Sequence, residues 1–217
     1  MGSDHPPLRA DAARNRARIL EAARDVFAEH GLGVGIDAVA RRASVGVGTI
    51  YRRFPTKDDL LQAIVDDRSE RLVTRLEEIA RTHGPWEAFA AMAELLGAEM
   101  ASDRGFFEAL QEAPDHLALS ACARDRAISA IDPILRRAQV AGVVREDVVA
   151  LDVLYVCANA GRVAPCRAAL EPDLWRRYLA LGLDGLRPEG AHALPHPPAS
   201  ADLPSAALPA ARARRSA

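Results

Sequence analysis

Cysteine is scarce in this chain of 217 residues, which contains only three, Cys122, Cys157 and Cys166. Their spacing is too wide and irregular for a zinc site or for the disulfide framework of a secreted domain. The sequence also shows no apolar run of membrane length and no secretory leader. We therefore expect a protein of the reducing cytoplasm that has no membrane partner.

The signatures of common catalytic sites are absent as well. Neither GxSxG nor HExxH occurs, and His30, His83 and His116 stand apart from one another. Gly46-Val47-Gly48 is at most a fragment of a nucleotide-binding loop, because no strand precedes it. No alternating apolar run or Asn-Gly hairpin indicates a β-strand. The sequence therefore predicts an all-α protein that is not an enzyme and needs no cofactor or metal.

The most informative segment runs from residue 36 to 60, IDAVARRASVGVGTIYRRFPTKDDL. Its pattern predicts a short helix over 37–43, a turn over 44–46 and a second short helix. Val47, Ile50 and Phe54 share the inward face of the second helix at helical spacing. Gly48, Thr49, Arg52 and Arg53 are then directed outward, with Tyr51 at the margin, and Arg41 and Arg42 lie outward on the first helix. Two short helices joined by a tight turn are typical of a helix-turn-helix protein that binds DNA.

This segment resembles the TetR family of bacterial transcriptional repressors. The resemblance rests on Ala40, Ala43-Ser44-Val45, Gly48-Thr49-Ile50-Tyr51, Phe54, Lys57 and Leu60. It implies that the second short helix enters the major groove, that Thr49 and Tyr51 contact phosphates, and that Lys57 caps the site. Gly48, Arg52 and Arg53 are then expected near base edges. The full DNA-binding set that we predict is Arg14, Arg16, Arg41, Val47, Gly48, Thr49, Tyr51, Arg52, Arg53 and Lys57.

Two positions depart from the family pattern. Ser44 occupies the turn position that usually carries glycine, and Gly35 precedes the first short helix where a serine or threonine would be a stronger cap. Neither lies in the predicted DNA-facing set. The alternative interpretation is a helical subdomain whose arginines are merely solvated.

Charge is distributed unevenly, although the formal net charge is only -2. Residues 1–57 contain ten basic and six acidic residues, a balance of +4, whereas the remainder contains 18 basic and 24 acidic residues, a balance of -6. A basic end on an acidic body indicates that the N-terminal end faces a polyanion such as double-stranded DNA. Ordinary charge scatter could produce a difference of this size.

Apolar spacing predicts the remaining helices over 12–30, 57–81, 104–112, 116–141, 147–161 and 172–186, with another beginning at Gly84-Pro85. Thr56 and Asp59 suit a capping box at the start of the helix over 57–81. We predict a flexible arm over 1–10, a three-helix DNA-binding domain with the helix-turn-helix over 11–56, and a helical ligand-binding and dimerisation domain over 57–187. Residues 57–81 form a connecting helix within it. The Pro- and Ala-rich tail over 188–217 is predicted to be disordered.

Two segments are apolar on nearly all sides, VVALDVLYVC over 148–157 and the last helix. Such helices need partners on two sides, and the family resemblance implies that they pair with a second copy in a four-helix bundle. A two-fold dimer would present its reading helices to successive major grooves about 34 to 36 Å apart on a palindromic operator. A buried monomer core is the alternative. The predicted interface residues are Leu151, Leu154, Tyr155, Leu174, Trp175, Tyr178 and Leu181.

Aromatic and methionine side chains in the body could line a ligand cavity, although each is individually more typical of core packing. The resemblance implies that an unknown small-molecule effector enters this domain and releases DNA. A dimerisation or adaptor protein without specific DNA recognition is the main rival. The predicted cavity residues are Trp86, Phe89, Met92, Met100, Phe106, Phe107, Cys122, Tyr155 and Asn159.

Overall fold

Eight α-helices make up almost all of the regular structure in a computed structural model that describes residues 6–102, 117–162, 171 and 173–198. No strand occurs among these residues, as the sequence predicts. The helices are α1 (Pro6–His30), α2 (Ile36–Ala43), α3 (Val47–Arg53), α4 (Lys57–Thr82), α5 (Pro85–Ser102), α6 (Leu117–Val140), α7 (Ala150–Arg162) and α8 (Leu174–Asp184). The predicted helix over 104–112, which carries Phe106 and Phe107, lies outside the described residues.

The chain divides into two packed units, with a boundary inside α4 between Arg68 and Ser69 and a second one near the start of α6. In the first unit, α1 packs against α2, and α2 packs against α3. The predicted stripe of α1 is buried, as are the inward residues of α2, Ile50 of α3 and the apolar residues in the first turns of α4. The core of this unit consists of Ile19, Leu20, Ala22, Ala23, Val26, Phe27, Ile36, Val39, Ala40, Ala43, Ile50, Phe54, Leu60, Leu61, Ile64 and Val65.

The second unit has its own core, in which α5 packs against α7 and α8, and α7 packs against α8. Small residues allow these helices to approach closely. A Cβ atom on Gly97 of α5 would lie only 2.7 Å from the Trp175 ring of α8, and one on Gly182 would lie 2.6 Å from Val156 of α7. At both contacts a methyl group would overlap its neighbour, so a larger residue would force the neighbouring side chain or helix to shift.

Helix α1 begins at Pro6 rather than at residue 12, so it extends into the predicted arm over 1–10. The ends of α7 and α8 also differ by a few residues from the sequence prediction. Helix α7 begins at Ala150 rather than at residue 147, and the Asp152 carboxylate accepts a hydrogen bond from the Val149 N–H at 3.0 Å just before it. The Asp152 side chain thereby satisfies the N–H of the residue that precedes the helix, as the third residue of a helix does in a capping box. Helix α8 ends at Asp184, where Gly185 is the C-cap.

Disorder is predicted for the segment over 188–217, of which the structure describes residues 188–198. Pro188–Gly190 form a 3-10 helix. The Arg145 guanidinium donates a hydrogen bond to the His192 carbonyl at 2.6 Å, and Arg187 lies over the Trp86 ring with its central carbon 3.6 Å from the centroid. The first contact joins the segment to Arg145, and the second holds the residue that precedes it against Trp86. Across the described part of the chain, no helix has the length and apolarity that crossing a membrane requires.

Candidate DNA-binding site

The turn between α2 and α3 depends on a left-handed residue. Ser44 has φ 53° and ψ 47°, and it is the one non-glycine residue with positive φ in the described chain. The following N–H, that of Val45, donates to the Ala40 carbonyl at 3.0 Å, which closes the end of α2. Gly35 precedes α2 without a side-chain cap, as the sequence suggests. The turn therefore keeps the helix-turn-helix geometry even though serine replaces the usual glycine.

Helix α3 is only seven residues long and is held in place by two apolar side chains. Ile50 is buried against the first unit, and Phe54, just after the helix, is buried as well. Val47 was predicted to face inward, but it is 39% exposed because it stands at the first position after the turn. Thr49 is half-buried, and the rest of the helix surface is exposed. The exposed residues are Val47, Gly48, Tyr51, Arg52 and Arg53.

The start of α4 completes the site. The predicted capping box is confirmed: the Thr56 N–H donates to the Asp59 carboxylate at 2.9 Å, and the Asp59 N–H donates to the Thr56 hydroxyl at 3.1 Å. The half-buried Lys57 donates hydrogen bonds to the carbonyls of Leu32 and Val34, and its ammonium group lies 5.4 Å from the centroid of the Phe27 ring. Lys57 therefore joins α4 to the turn between α1 and α2.

Most of the arginines on α1 and α2 have a partner within the protein. Arg14 pairs with Asp11, Arg16 donates to Asp67 at 3.1 Å, and Arg41 donates to Asp37 at 2.8 Å. Sequence spacing cannot reveal the Arg16 contact, because its two residues are 51 positions apart.

A charge cluster also joins α1 to α2. Arg42 donates two hydrogen bonds to the Glu29 carboxylate, at 3.1 and 2.5 Å, and lies 3.8 Å from Asp25. These hydrogen bonds from Arg42 hold the pKa of Glu29 below its ordinary value. The Glu29 carboxylate therefore remains ionised to lower pH than an ordinary glutamate.

Two family models and several solved structures match this chain in sequence and fold. Residues 19–64 match the family model of the bacterial regulatory proteins of the tetR family, and residues 84–188 match the C-terminal domain of SbtR-like transcriptional regulators. The chain is 37% identical to the TetR transcription regulatory protein of Mycobacterium vanbaalenii, over 83% of this chain and 99% of that one, with a TM-score of 0.62. The chain belongs to the TetR family.

Two further relatives match over a shorter segment or at lower identity. UidR, a helix-turn-helix transcriptional regulator of Escherichia coli, is 35% identical over 72 residues, which span 33% of this chain and 37% of UidR. The transcriptional regulator FadR of Bacillus subtilis, in complex with stearoyl-CoA, shares the fold at 21% identity, over 81% of this chain and 99% of that one, with a TM-score of 0.66. The predicted all-α fold and TetR-family membership are both confirmed.

The predicted ligand residues of this TetR-family chain do not all lie in one place. Phe89 and Met92 are fully buried in the core of the second unit, and Trp86 and Met100 are partly buried against it. Cys122 is half-buried on α6. Tyr155 is 53% exposed and Asn159 is exposed, so these two side chains lie on the outside of α7.

The predicted dimer residues separate into two groups. Leu151, Leu154 and Trp175 are buried in the core of the single chain, and Leu174 is half-buried. The exposed group lies on the neighbouring helices α7 and α8 and consists of Tyr155, Tyr178 and Leu181, which are 53%, 40% and 57% exposed.

Proposed function

We propose that this TetR-family protein is a sequence-specific transcriptional regulator that binds double-stranded DNA through α3, most simply as a repressor in the cytoplasm. The outward surface of α3 supports this proposal best. It carries Arg52 and Arg53, which have no carboxylate partner among the described residues, beside Gly48, which has no side chain. Unpaired arginines on a short exposed helix are suited to phosphates and base edges.

The protein acts as a homodimer in this proposal. The exposed Tyr155, Tyr178 and Leu181 lie on two helices that pack against each other, and we infer that they belong to one apolar face, which we call the α7–α8 face. A two-fold contact places the same patch of both copies together, and aromatic side chains are favoured in such interfaces. A dimer that pairs through this face presents two copies of α3 related by two-fold symmetry. We therefore expect its operator to be a palindrome.

A small-molecule effector controls DNA binding in this proposal. The second unit offers an apolar interior around Phe89 and Met92, with Trp86 and Met100 at its edge. FadR, which has the same fold, was solved with stearoyl-CoA, and this supports a ligand role for the helical unit. An effector releases DNA only if it binds the DNA-free conformation more tightly than the DNA-bound one.

Selection of the purified protein against random duplex DNA at moderate, fixed salt tests DNA recognition directly. We expect enrichment of a palindrome whose half-sites lie about one helical turn apart. Enrichment of no sequence, both alone and in the presence of cell extract as a source of effector, would favour the rival proposal of a helical adaptor protein.

Sedimentation of a Leu181→Arg variant tests the dimer. We expect it to sediment as a monomer and to lose most operator affinity, because an arginine in an apolar interface leaves a charge without a partner. Val140→Arg is the matched control, since Val140 is 91% exposed at the end of α6 and lies outside the α7–α8 face. A Leu181→Arg variant that remains a dimer would show that the copies pair elsewhere.

A further inference from the structure

The arginines of the first unit differ in whether an acidic residue of the same chain already binds them. Arg14, Arg16, Arg41 and Arg42 each hold a carboxylate of the same chain. On α3, by contrast, Arg52 and Arg53 are exposed and form no ion pair or hydrogen bond with any described residue. An arginine that already holds a carboxylate must give up this partner to bind DNA, whereas an unpaired one need not. Availability alone therefore favours α3 as the source of specific contacts.

Helix geometry assigns different directions to these two arginines. Successive residues of an α-helix are rotated by about 100°, and the buried Ile50 and Phe54 mark the inward side of α3. On this basis Arg52 lies diametrically opposite the inward side. Tyr51 and Arg53 lie to either side of it, each rotated from it by about 100°. When the outward side of α3 faces a groove of DNA, Arg52 is therefore directed toward the floor of the groove. Tyr51 and Arg53 are directed toward its walls.

Gly48 lies one turn before Arg52 on the same outward stripe. Its φ is not in the left-handed region, and a Cβ atom at this position would meet nothing within 4 Å. The protein itself therefore does not require glycine here, and glycine is a poor helix former. The close approach of a partner to the backbone of α3 at this point explains why glycine occurs here.

We propose that Arg52 binds a guanine in each half-site of the operator, donating two parallel hydrogen bonds to its O6 and N7 atoms in the major groove. Guanine presents two acceptors at the spacing of the guanidinium fork, and this pair is the commonest arginine contact with a base. Arg53 contacts a phosphate, and Gly48 leaves room for the edges of the neighbouring bases. This inference rests on the proposed function and specifies the bases that it requires.

The first test compares random-duplex selections with the wild type, Arg52→Ala and Arg53→Ala. We expect the wild type to enrich one symmetric pair of guanines that Arg52→Ala no longer enriches, while the rest of the palindrome stays the same. Arg53→Ala should keep the guanines and weaken binding to all sequences, with a shallower dependence on salt. Arg136→Ala, in α6 of the second unit, is the charge-matched control and should change neither the sequences nor the affinity.

The second test replaces each of these guanines with 7-deazaguanine, which lacks only the N7 acceptor and still pairs with cytosine. We expect the wild type to lose about 5- to 10-fold in affinity. Arg52→Ala should lose nothing further, because its contact with N7 is already gone. An equal loss in both proteins would overturn the assignment of Arg52.

The two proposals fail in different ways. A palindrome without guanines, or guanines that Arg52→Ala still enriches, would overturn the present inference and leave DNA recognition intact. Enrichment of no sequence by the wild type, both alone and in the presence of cell extract, would overturn both. Circular dichroism spectra that match the wild type would establish that each variant is folded, which is expected because both arginines are exposed.

Discussion

The ammonium group of Lys57 donates a hydrogen bond to the backbone carbonyl of Val34 at 2.9 Å, and a second one to the carbonyl of Leu32. We expect Lys57→Met to lower the free energy of unfolding by about 1 to 3 kcal/mol, because the carbonyls lose a charged donor. Urea unfolding measures this change. Arg53→Met, at an exposed residue of α3, is the control and should be nearly neutral. Unchanged stability of Lys57→Met together with weaker DNA binding would mean that Lys57 acts on phosphate rather than on the fold.

Ser44 adopts the left-handed conformation at the end of α2. We expect Ser44→Gly to stabilise the protein by about 1 kcal/mol, since glycine adopts positive φ without a steric penalty. Thermal and urea unfolding measure the change. The same substitution at the exposed Ser129 of α6 should instead destabilise by about 0.5 kcal/mol, because it places glycine inside a helix. Changes of the same sign at both positions would contradict this explanation.

Gly48→Ala should separate stability from DNA binding. In the free protein the new methyl group meets nothing within 4 Å, so we expect a gain of up to about 1 kcal/mol from better helix propensity. Affinity for the selected operator should fall by about tenfold, a loss of roughly 1.4 kcal/mol, if bases approach the backbone at this position. Fluorescence anisotropy with labelled operator gives the affinity. Unchanged affinity would show that the backbone of α3 stays away from DNA.

Gly97→Ala should destabilise the protein, whereas Gly48→Ala should stabilise it. A Cβ atom at Gly97 lies 2.7 Å from the Trp175 ring and 3.4 Å from Leu179, and a rigid indole cannot move aside without shifting α8. We expect a loss of about 1 to 3 kcal/mol despite the gain in helix propensity. Gly48→Ala is the matched control, since both substitutions add one methyl group to a helix. A neutral result for Gly97→Ala would show that α5 and α8 can separate without cost.

Cys157 is fully buried in the second unit, and burial raises the pKa of its thiol from 9.0 to about 12. The unfolded chain therefore releases this proton near pH 9, whereas the folded chain holds it to about pH 12. The contribution of this group to stability is complete below about pH 9 and is lost as pH rises through that window.

We expect the free energy of unfolding to fall with pH more steeply in the wild type than in Cys157→Ala, by up to about 1.4 kcal/mol per pH unit. Urea unfolding across that range measures both slopes. Met92→Leu, at a buried residue that carries no titratable group, should keep the wild-type slope. Equal slopes for the wild type and Cys157→Ala would mean that water reaches the Cys157 thiol.

Local patterns in the sequence predicted most of the described helices and the turn, because these features depend on neighbours a few residues apart. The capping box of Thr56 and Asp59 and the buried face of α1 are examples. Contacts between distant residues could not be predicted in this way. The pairing of Arg16 with Asp67 and the bonds from Lys57 to the turn at 32–34 depend on the packing of whole helices. For the same reason the sequence alone did not distinguish exposed from buried residues on α7.

The second unit contains both tryptophans of the chain. Each lies beside a guanidinium group, with Arg187 at 3.6 Å from the centroid of the Trp86 ring and Arg176 at 4.7 Å from that of Trp175. Tryptophan emission excited at the red edge of the indole absorption band therefore reports on the second unit alone. It should change when a bound compound displaces either arginine. Candidate effectors can thus be screened by intrinsic fluorescence, without a label and without knowledge of the operator.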